Sequence, residues 1–132
     1  MKYIIDTDIL IYFLNNKEKV VDKFSKINDK FIFTTIINYT ELLFGAYNSL
    51  KVEQNLERFK SFLGDINVLD FDKNAAEKFA QLKTKLKQEG NLIEDMDLMI
   101  ASICLVTNSV LVTNNTRHFS RIHELKIENW SG

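Results

Sequence analysis

The sequence predicts one α/β domain built on a short, mainly parallel β-sheet flanked by α-helices. Three observations carry that expectation. Short β-branched and apolar runs alternate with stretches of helical periodicity along the whole 132-residue chain. The connections between them are short, with no repeat, linker or low-complexity tract, so residues 1–132 read as a single domain. The runs Ile4-Ile5 and Val110-Leu111-Val112 are continuous and not alternating, as expected of strands covered on both faces.

The elements follow in order. Tyr3-Ile4-Ile5 forms a first strand that stops at Asp6. Asp8 is placed to cap a short helix through about Leu14, which Asn15-Asn16-Lys17 breaks. Val20, Val21, Phe24 and Ile27 recur at helical spacing. Phe31-Ile32-Phe33-Thr34 is the second strand, and Tyr39, Leu43, Ala46 and Leu50 give the buried stripe of the helix after it. Val52, Leu56, Phe59 and Leu63 stripe another helix, ended by Gly64. A third strand spans Ile66 to Phe71, followed by a long amphipathic helix through Ala75, Phe79, Leu82 and Leu86 that Gly90 closes. Met96, Met99, Ile100, Ile103 and Cys104 form the next apolar face. Val110 to Thr113 is a buried strand leaving through the turn Asn114-Asn115, and Lys126-Ile127-Glu128 is a short edge strand before Trp130.

Composition narrows the function classes. A hydrophobic fraction of 45% with 27% charged residues suits one buried core beneath a wetted surface. No apolar run approaches the roughly 20 residues that span a bilayer. Asp6 and Asp8 interrupt the N-terminal apolar run, and no small-residue cleavage site follows, so no secretory signal is expected. The single cysteine, Cys104, excludes an internal disulfide and fits a reducing cytoplasm. Its place on an apolar helix face predicts a buried thiol, not a nucleophile. With a net charge of −1 the chain exerts no global pull on a polyanion, so nucleic acid would need a local basic patch or a metal ion.

Three acids stand out by position. Asp6 ends the first strand, Glu41 lies in the first turns of the helix after the second, and Asp97 opens the helix beginning near Asp95. In a parallel sheet, strand exits and the helix starts that follow them share one edge, so these acids and the Asn114-Asn115 turn are expected to meet there. Carboxylates from several segments suit Mg²⁺ or Mn²⁺. Each acid also has a structural reading. Asn38-x-x-Glu41 fits a capping box, Asp95 and Asp97 suit a helix N-terminus, and Asp6 could cap the helix after it.

The order of fragments adds a resemblance. Tyr3 to Tyr12, Thr40-Glu41-Leu42-Leu43-Phe44-Gly45-Ala46 and Asn67 to Asp72 with Ala75-Ala76 make up the first part. Gly90-Asn91-Leu92-Ile93 leading to Asp97-Leu98-Met99-Ile100-Ala101, then Leu111 to Arg117 and Glu128-Asn129-Trp130, complete it. Together they resemble PIN-domain ribonucleases, specifically the VapC-type toxins of bacterial toxin–antitoxin pairs. The resemblance implies a metal-dependent endoribonuclease in which Asp6, Glu41 and Asp97 bind Mg²⁺ or Mn²⁺ and Asn115 helps orient the attacking water. Thr7 and Thr113 match small hydroxyl positions lining that site. The implied partners are an RNA substrate, a cognate VapB-type antitoxin and a second copy of the chain, with operator DNA bound through the antitoxin in a larger assembly. The aromatic-rich region of Tyr12, Phe13, Tyr39, Phe44 and Tyr47 is the implied dimer face and antitoxin groove. Two departures stand out: His118 occupies the place of a fourth acid, and Glu94 one that is often glycine. Asp95, an extra carboxylate nearby, is expected to compensate in part for the acid missing at His118.

Two other readings compete. Asp6-Thr7-Asp8 after a buried strand also resembles the D-x-D motif of aspartyl-phosphate phosphatases, with Thr34 as the later hydroxyl, though no lysine is placed for it. The His118 departure also fits a PIN-like module that binds without cleaving.

Overall fold

The computed structural model describes residues 1–132. Five strands, β1 (Tyr3–Ile5), β2 (Ile32–Thr35), β3 (Asn67–Leu69), β4 (Val110–Val112) and β5 (Lys126–Glu128), form one sheet in the order β3-β2-β1-β4-β5. Every neighbouring pair is parallel, so the sheet is more uniform than the mainly parallel one expected. The central strand sets the register, with Tyr3 opposite Ile32 on one side and Val110 on the other. Crossovers are helical: α1 (Thr7–Leu14) and α2 (Glu18–Ser25) precede β2, α3 (Ile36–Tyr47) and α4 (Val52–Gly64) precede β3, and α5 (Lys73–Gln88) and α6 (Asp95–Val106) precede β4. A single turn, α7 (Thr116–Phe119), leads towards β5.

Successive side chains of a strand point to opposite faces, so the two fully buried isoleucines of β1 serve two cores. Ile4 packs with Leu82, Leu86, Leu98, Ile103 and Phe119 beneath α5 and α6. Ile5 packs with Ile9, Leu10, Val20, Leu42 and Trp130 on the other face. That second core is aromatic at its rim. Phe13 and Phe24 lie 4.3 Å apart between ring centroids, and Phe24 meets Trp130 edge-on at 5.3 Å. Cys104 is fully buried, and its burial pushes the thiol well above the ordinary range.

Three local expectations are corrected, and one element is new. The residue that caps α1 is Asp6, and Asp8 sits in the first turn. The inward stripe of α3 is Asn38, Leu42 and Ala46, one step round from the Tyr39–Leu43 stripe, while Leu50 lies beyond the helix end and is fully exposed. Met96 is 39% exposed, its place in the core taken by Leu98, because α6 is buried nearly all round beyond its first turn. The turn α7 had no expectation, being too short to show periodicity.

Chain order makes β1 the switch point of the sheet. From it the chain proceeds to β2 on one side and later to β4 on the other. Such reversals open a crevice beyond the strand carboxyl ends, and Asp6 and Thr113 flank it.

Candidate metal centre

Asp6 leaves β1 with its backbone N–H donating to the Val112 carbonyl at 2.8 Å, which fixes the first turn of α1 against β4. Asp6 is 7% exposed, and its carboxylate accepts three hydrogen bonds. Oδ1 accepts from the Thr7 N–H and from Asn38 Nδ2, both at 2.9 Å, and Oδ2 accepts from Thr113 Oγ1 at 2.6 Å. Burial pushes the Asp6 carboxyl above the usual range, and these bonds pull it part of the way back.

Thr7 links the first two acids. Its Oγ1 donates to Glu41 Oε1 at 2.7 Å and accepts from Asn38 Nδ2 at 3.0 Å. Glu41, in the second turn of α3, therefore faces the crevice and does not take the capping role open to it. The capping box of α3 belongs to Thr35 and Asn38. Asn38 is fully buried, and Thr35 Oγ1 donates to its Oδ1 at 2.7 Å, which aims the amide nitrogen at Asp6 and Thr7. In the sequence Asn38 reads only as a possible cap partner of Glu41. The detectable signal was Thr35 three residues before it.

Asp97 lies in the first turn of α6, half-buried. Burial and then the charges of Asp6, Glu41 and Glu94 push its carboxyl up to about 6, with no hydrogen bond to oppose them. Glu41 is raised by burial, with Asp6 and Glu94 adding to the effect and the Thr7 bond opposing it. Asp8 is raised to about 6 by burial and the Asp6 charge, against bonds from the Asn114 and Ile9 N–H groups. The structure thus brings Asp6, Glu41 and Asp97 into mutual electrostatic reach and adds Asp8, which the sequence suggested only as a cap or a phosphatase residue.

Asn115 sits in the same crevice wall. Its N–H donates to Thr113 Oγ1 at 3.0 Å, so Thr113 passes a hydrogen bond on to Asp6. Its side-chain amide pairs with His118 Nδ1 at 3.0 Å and bonds to no acid. Asp95 stands apart: its carboxylate is 3.0 Å from Lys83 Nζ on α5, at the surface. The compensating role expected of it has no support in that placement. Thr34 is fully buried and donates to the Ile5 carbonyl at 2.8 Å, so the hydroxyl required by the phosphatase reading is engaged by the backbone of β1.

The donor set fits a hard divalent cation in chemistry, though no three acidic, histidine or cysteine side chains are already drawn into a closed ligand shell. Asp6, Glu41 and Asp97 offer oxygen only, in a partly dehydrated crevice where they repel one another. A cation would relieve that repulsion, whereas closure without one would increase it. Beside Glu41 a groove of about 200 Å³ runs between α1, α3 and α4, lined by Ile11, Leu42, Phe59 and Arg58 among others. Of the aromatics expected at a partner face, Tyr12, Phe13 and Tyr39 pack against the second core, whereas Phe44 and Tyr47 are 68% and 61% exposed.

Comparison with known proteins agrees with this architecture. The PIN domain model matches residues 3–125. The chain is 34% identical over 131 residues, 99% of both chains, to the tRNA(fMet)-specific endonuclease VapC of Shigella flexneri. It is equally similar over 134 aligned positions, 98% of both chains, to ribonuclease VapC2 of Rickettsia felis. Among solved structures, the DNA-bound VapBC of Salmonella typhimurium superposes with a TM-score of 0.92 at 34% identity, covering 98% of each chain. VapBC2 of Rickettsia felis, bound to a promoter DNA fragment, gives 0.89 at 34% identity over 98% of this chain and 99% of the other.

Proposed function

The chain belongs to the PIN-domain family, among its VapC members, and from that premise we propose that it is an endoribonuclease toxin cleaving RNA with a divalent cation. The observation that carries the reading is the meeting of Asp6, Glu41 and Asp97 at the sheet's switch point, two of them joined through Thr7. The reaction is hydrolysis of a phosphodiester, with no covalent enzyme intermediate required.

Mg²⁺ or Mn²⁺, when bound, supplies Lewis-acid polarisation of a phosphate oxygen and makes water acidic enough to attack near neutral pH. The chain's own residues do the positioning. Asp6, Glu41 and Asp97 are the cation's carboxylates. Asn38 and the Thr7 N–H hold Oδ1 of Asp6 and Thr113 holds Oδ2, which fixes the rotamer and leaves a further lone pair on Oδ2 for a ligand. Thr7 does the same for Glu41 through Oε1 and leaves Oε2 free. Asn115 holds the Thr113 hydroxyl in place through its backbone N–H, and from that wall of the crevice it would help to orient the attacking water.

The neighbours point to the partners. Structures with a VapB chain and DNA bound support a VapB-type antitoxin as the silencing partner, with operator DNA contacted through it. The exposed Phe44 and Tyr47 and the groove beside Glu41 offer the apolar anchors that helix-in-groove recognition uses, and a homodimer would bury the remainder. No helix is long and apolar enough to cross a membrane, and we place the activity in the cytoplasm, with its RNA.

The test is cleavage by purified, antitoxin-free protein of an RNA panel that includes tRNA(fMet), the substrate of a relative 34% identical to this chain. Discrete cuts with Mg²⁺ or Mn²⁺, lost in EDTA and in Asp97→Asn, are expected. Equal cleavage by the variant would show that the activity belongs to a contaminant. A folded protein that cuts no RNA with either metal would instead be a binding module.

A further inference from the structure

Taking the cation site proposed above as given, we infer that Asp8 is its fourth carboxylate, supplying from the start of α1 the negative charge that His118 does not supply from the β4 exit. Two placements carry the inference. Asp8 Oδ2 accepts the Asn114 N–H at 3.1 Å, so the side chain leans across the crevice onto the turn that carries Asn115 and His118. Its other oxygen accepts the Ile9 N–H at 2.7 Å, and these two bonds hold the carboxylate in one orientation while leaving each oxygen a lone pair. It is half-buried, and it lies within reach of the charges of Asp6 and, more weakly, Asp97.

The other spare acids are worse placed. Asp95 is engaged by Lys83 at the surface. Glu94 is exposed and acts on Glu41 and Asp97, on the α3 and α6 side of the crevice, away from the turn where the acid is missing. His118 directs Nδ1 to Asn115 and adds no carboxylate. Among these acids only Asp8 reaches the turn from which the charge is missing. Oxygen-binding divalent ions are held tighter as carboxylates are added, so a site short of one acid on one wall can recover affinity from another wall.

The experiment is calorimetric titration of Mn²⁺ into EDTA-stripped full-length protein, without RNA. The set is the parent, Asp8→Asn, His118→Asp, the two combined, and Asp95→Asn. Asp8→Asn keeps an amide oxygen for the Asn114 N–H, and far-UV circular dichroism melting checks that each variant folds. Asp8→Asn should weaken Mn²⁺ binding about tenfold or more, and Asp95→Asn should leave it unchanged. His118→Asp should restore most of the loss in the Asp8→Asn background and add much less to the parent, because there Asp8 already provides the charge. Parent-like affinity in Asp8→Asn overturns the inference. So does an equal gain from His118→Asp in both backgrounds, or no rescue, either of which would reduce Asp8 to an anchor for the turn. Absence of Mn²⁺ binding by the parent would sink the metal-dependent reading itself, and the inference with it.

Discussion

Asp6 and Asp97 belong to one crevice but are built in opposite ways. Asp6 is nearly dry and held by three donors from three segments, Thr7, Asn38 and Thr113. Asp97 is half-exposed, accepts no hydrogen bond, and is opposed by the charges of Asp6, Glu41 and Glu94. A hydrogen-bonded buried carboxylate is part of the fold's polar framework, because its removal strands the donors aimed at it. A repelled, unpaired one contributes little to the fold and is retained at a cost in stability. The difference separates the half of the crevice that sets geometry from the half whose negative charge is left unpaired.

The sharpest way to break that contrast is Asp97→Asn. Cleavage should fall at least about 100-fold, equivalent to about 2.7 kcal/mol of transition-state stabilisation, while thermal stability stays level or rises as one repelling charge disappears. Paired measurements of initial rate and melting temperature check it. A fall in melting temperature comparable to that of a core variant would mean Asp97 belongs to the framework after all. Asn38→Ala is the complementary change and the next in size. It removes the amide that serves Asp6 and Thr7 and strands the Thr35 hydroxyl, so urea unfolding should show a loss of about 1–3 kcal/mol. Cleavage should fall less than in Asp97→Asn, because Thr113 and the Thr7 N–H still hold Asp6. If Asn38→Ala left stability unchanged, the framework role of this half would be lost.

Much of this architecture was legible in the sequence, and the gaps have physical causes. Continuous Ile4-Ile5 and Val110-Leu111-Val112 announced two-faced burial because parallel strands cannot afford a wetted side. Asp6, Glu41 and Asp97 were visible because each follows a strand or opens a helix in a chain whose alternation fixes which edge they share. The α3 stripe was misjudged by one step because Leu42 and Leu43 are equally apolar, and periodicity cannot choose between adjacent leucines. What decides the rotation is a polar contact at long range, Asn38 reaching Asp6 thirty-two residues earlier in the chain. The same limit applies to Asp95 and Asp97, two residues apart and alike in type. Only Lys83 on the neighbouring helix assigns one to the surface, and no local pattern encodes that pairing.

The smallest expected effect, and the one that reads both halves together, is the pH dependence of stability without metal. Asp8 and Asp97 titrate near 6 in the folded chain, against 3.8 for a free aspartate side chain. Between about pH 4 and 6 the folded state therefore holds more protons on these groups than the unfolded state, so their contribution to stability declines as pH rises through that window and levels off above it. Asp6 and Glu41, also raised, act in the same direction. Other carboxylates titrate in the same range, so the informative quantity is the difference between parent and Asp97→Asn in melting temperature across pH 4.5 to 7.5. The variant should gain on the parent as pH rises to about 6 and then run parallel. Mg²⁺ or Mn²⁺ should reverse the order, since a cation binds the deprotonated carboxylates and stabilises the parent increasingly through the same window. Asn38→Ala sharpens the contrast from the other side. Its loss removes a bond that lowers the Asp6 pKa, so the metal-free variant should decline more steeply with pH than the parent. A parent-minus-Asp97→Asn difference that stayed flat from pH 4.5 to 7.5 would show that repulsion in the crevice is already relieved without a cation, and the two halves would no longer differ in kind.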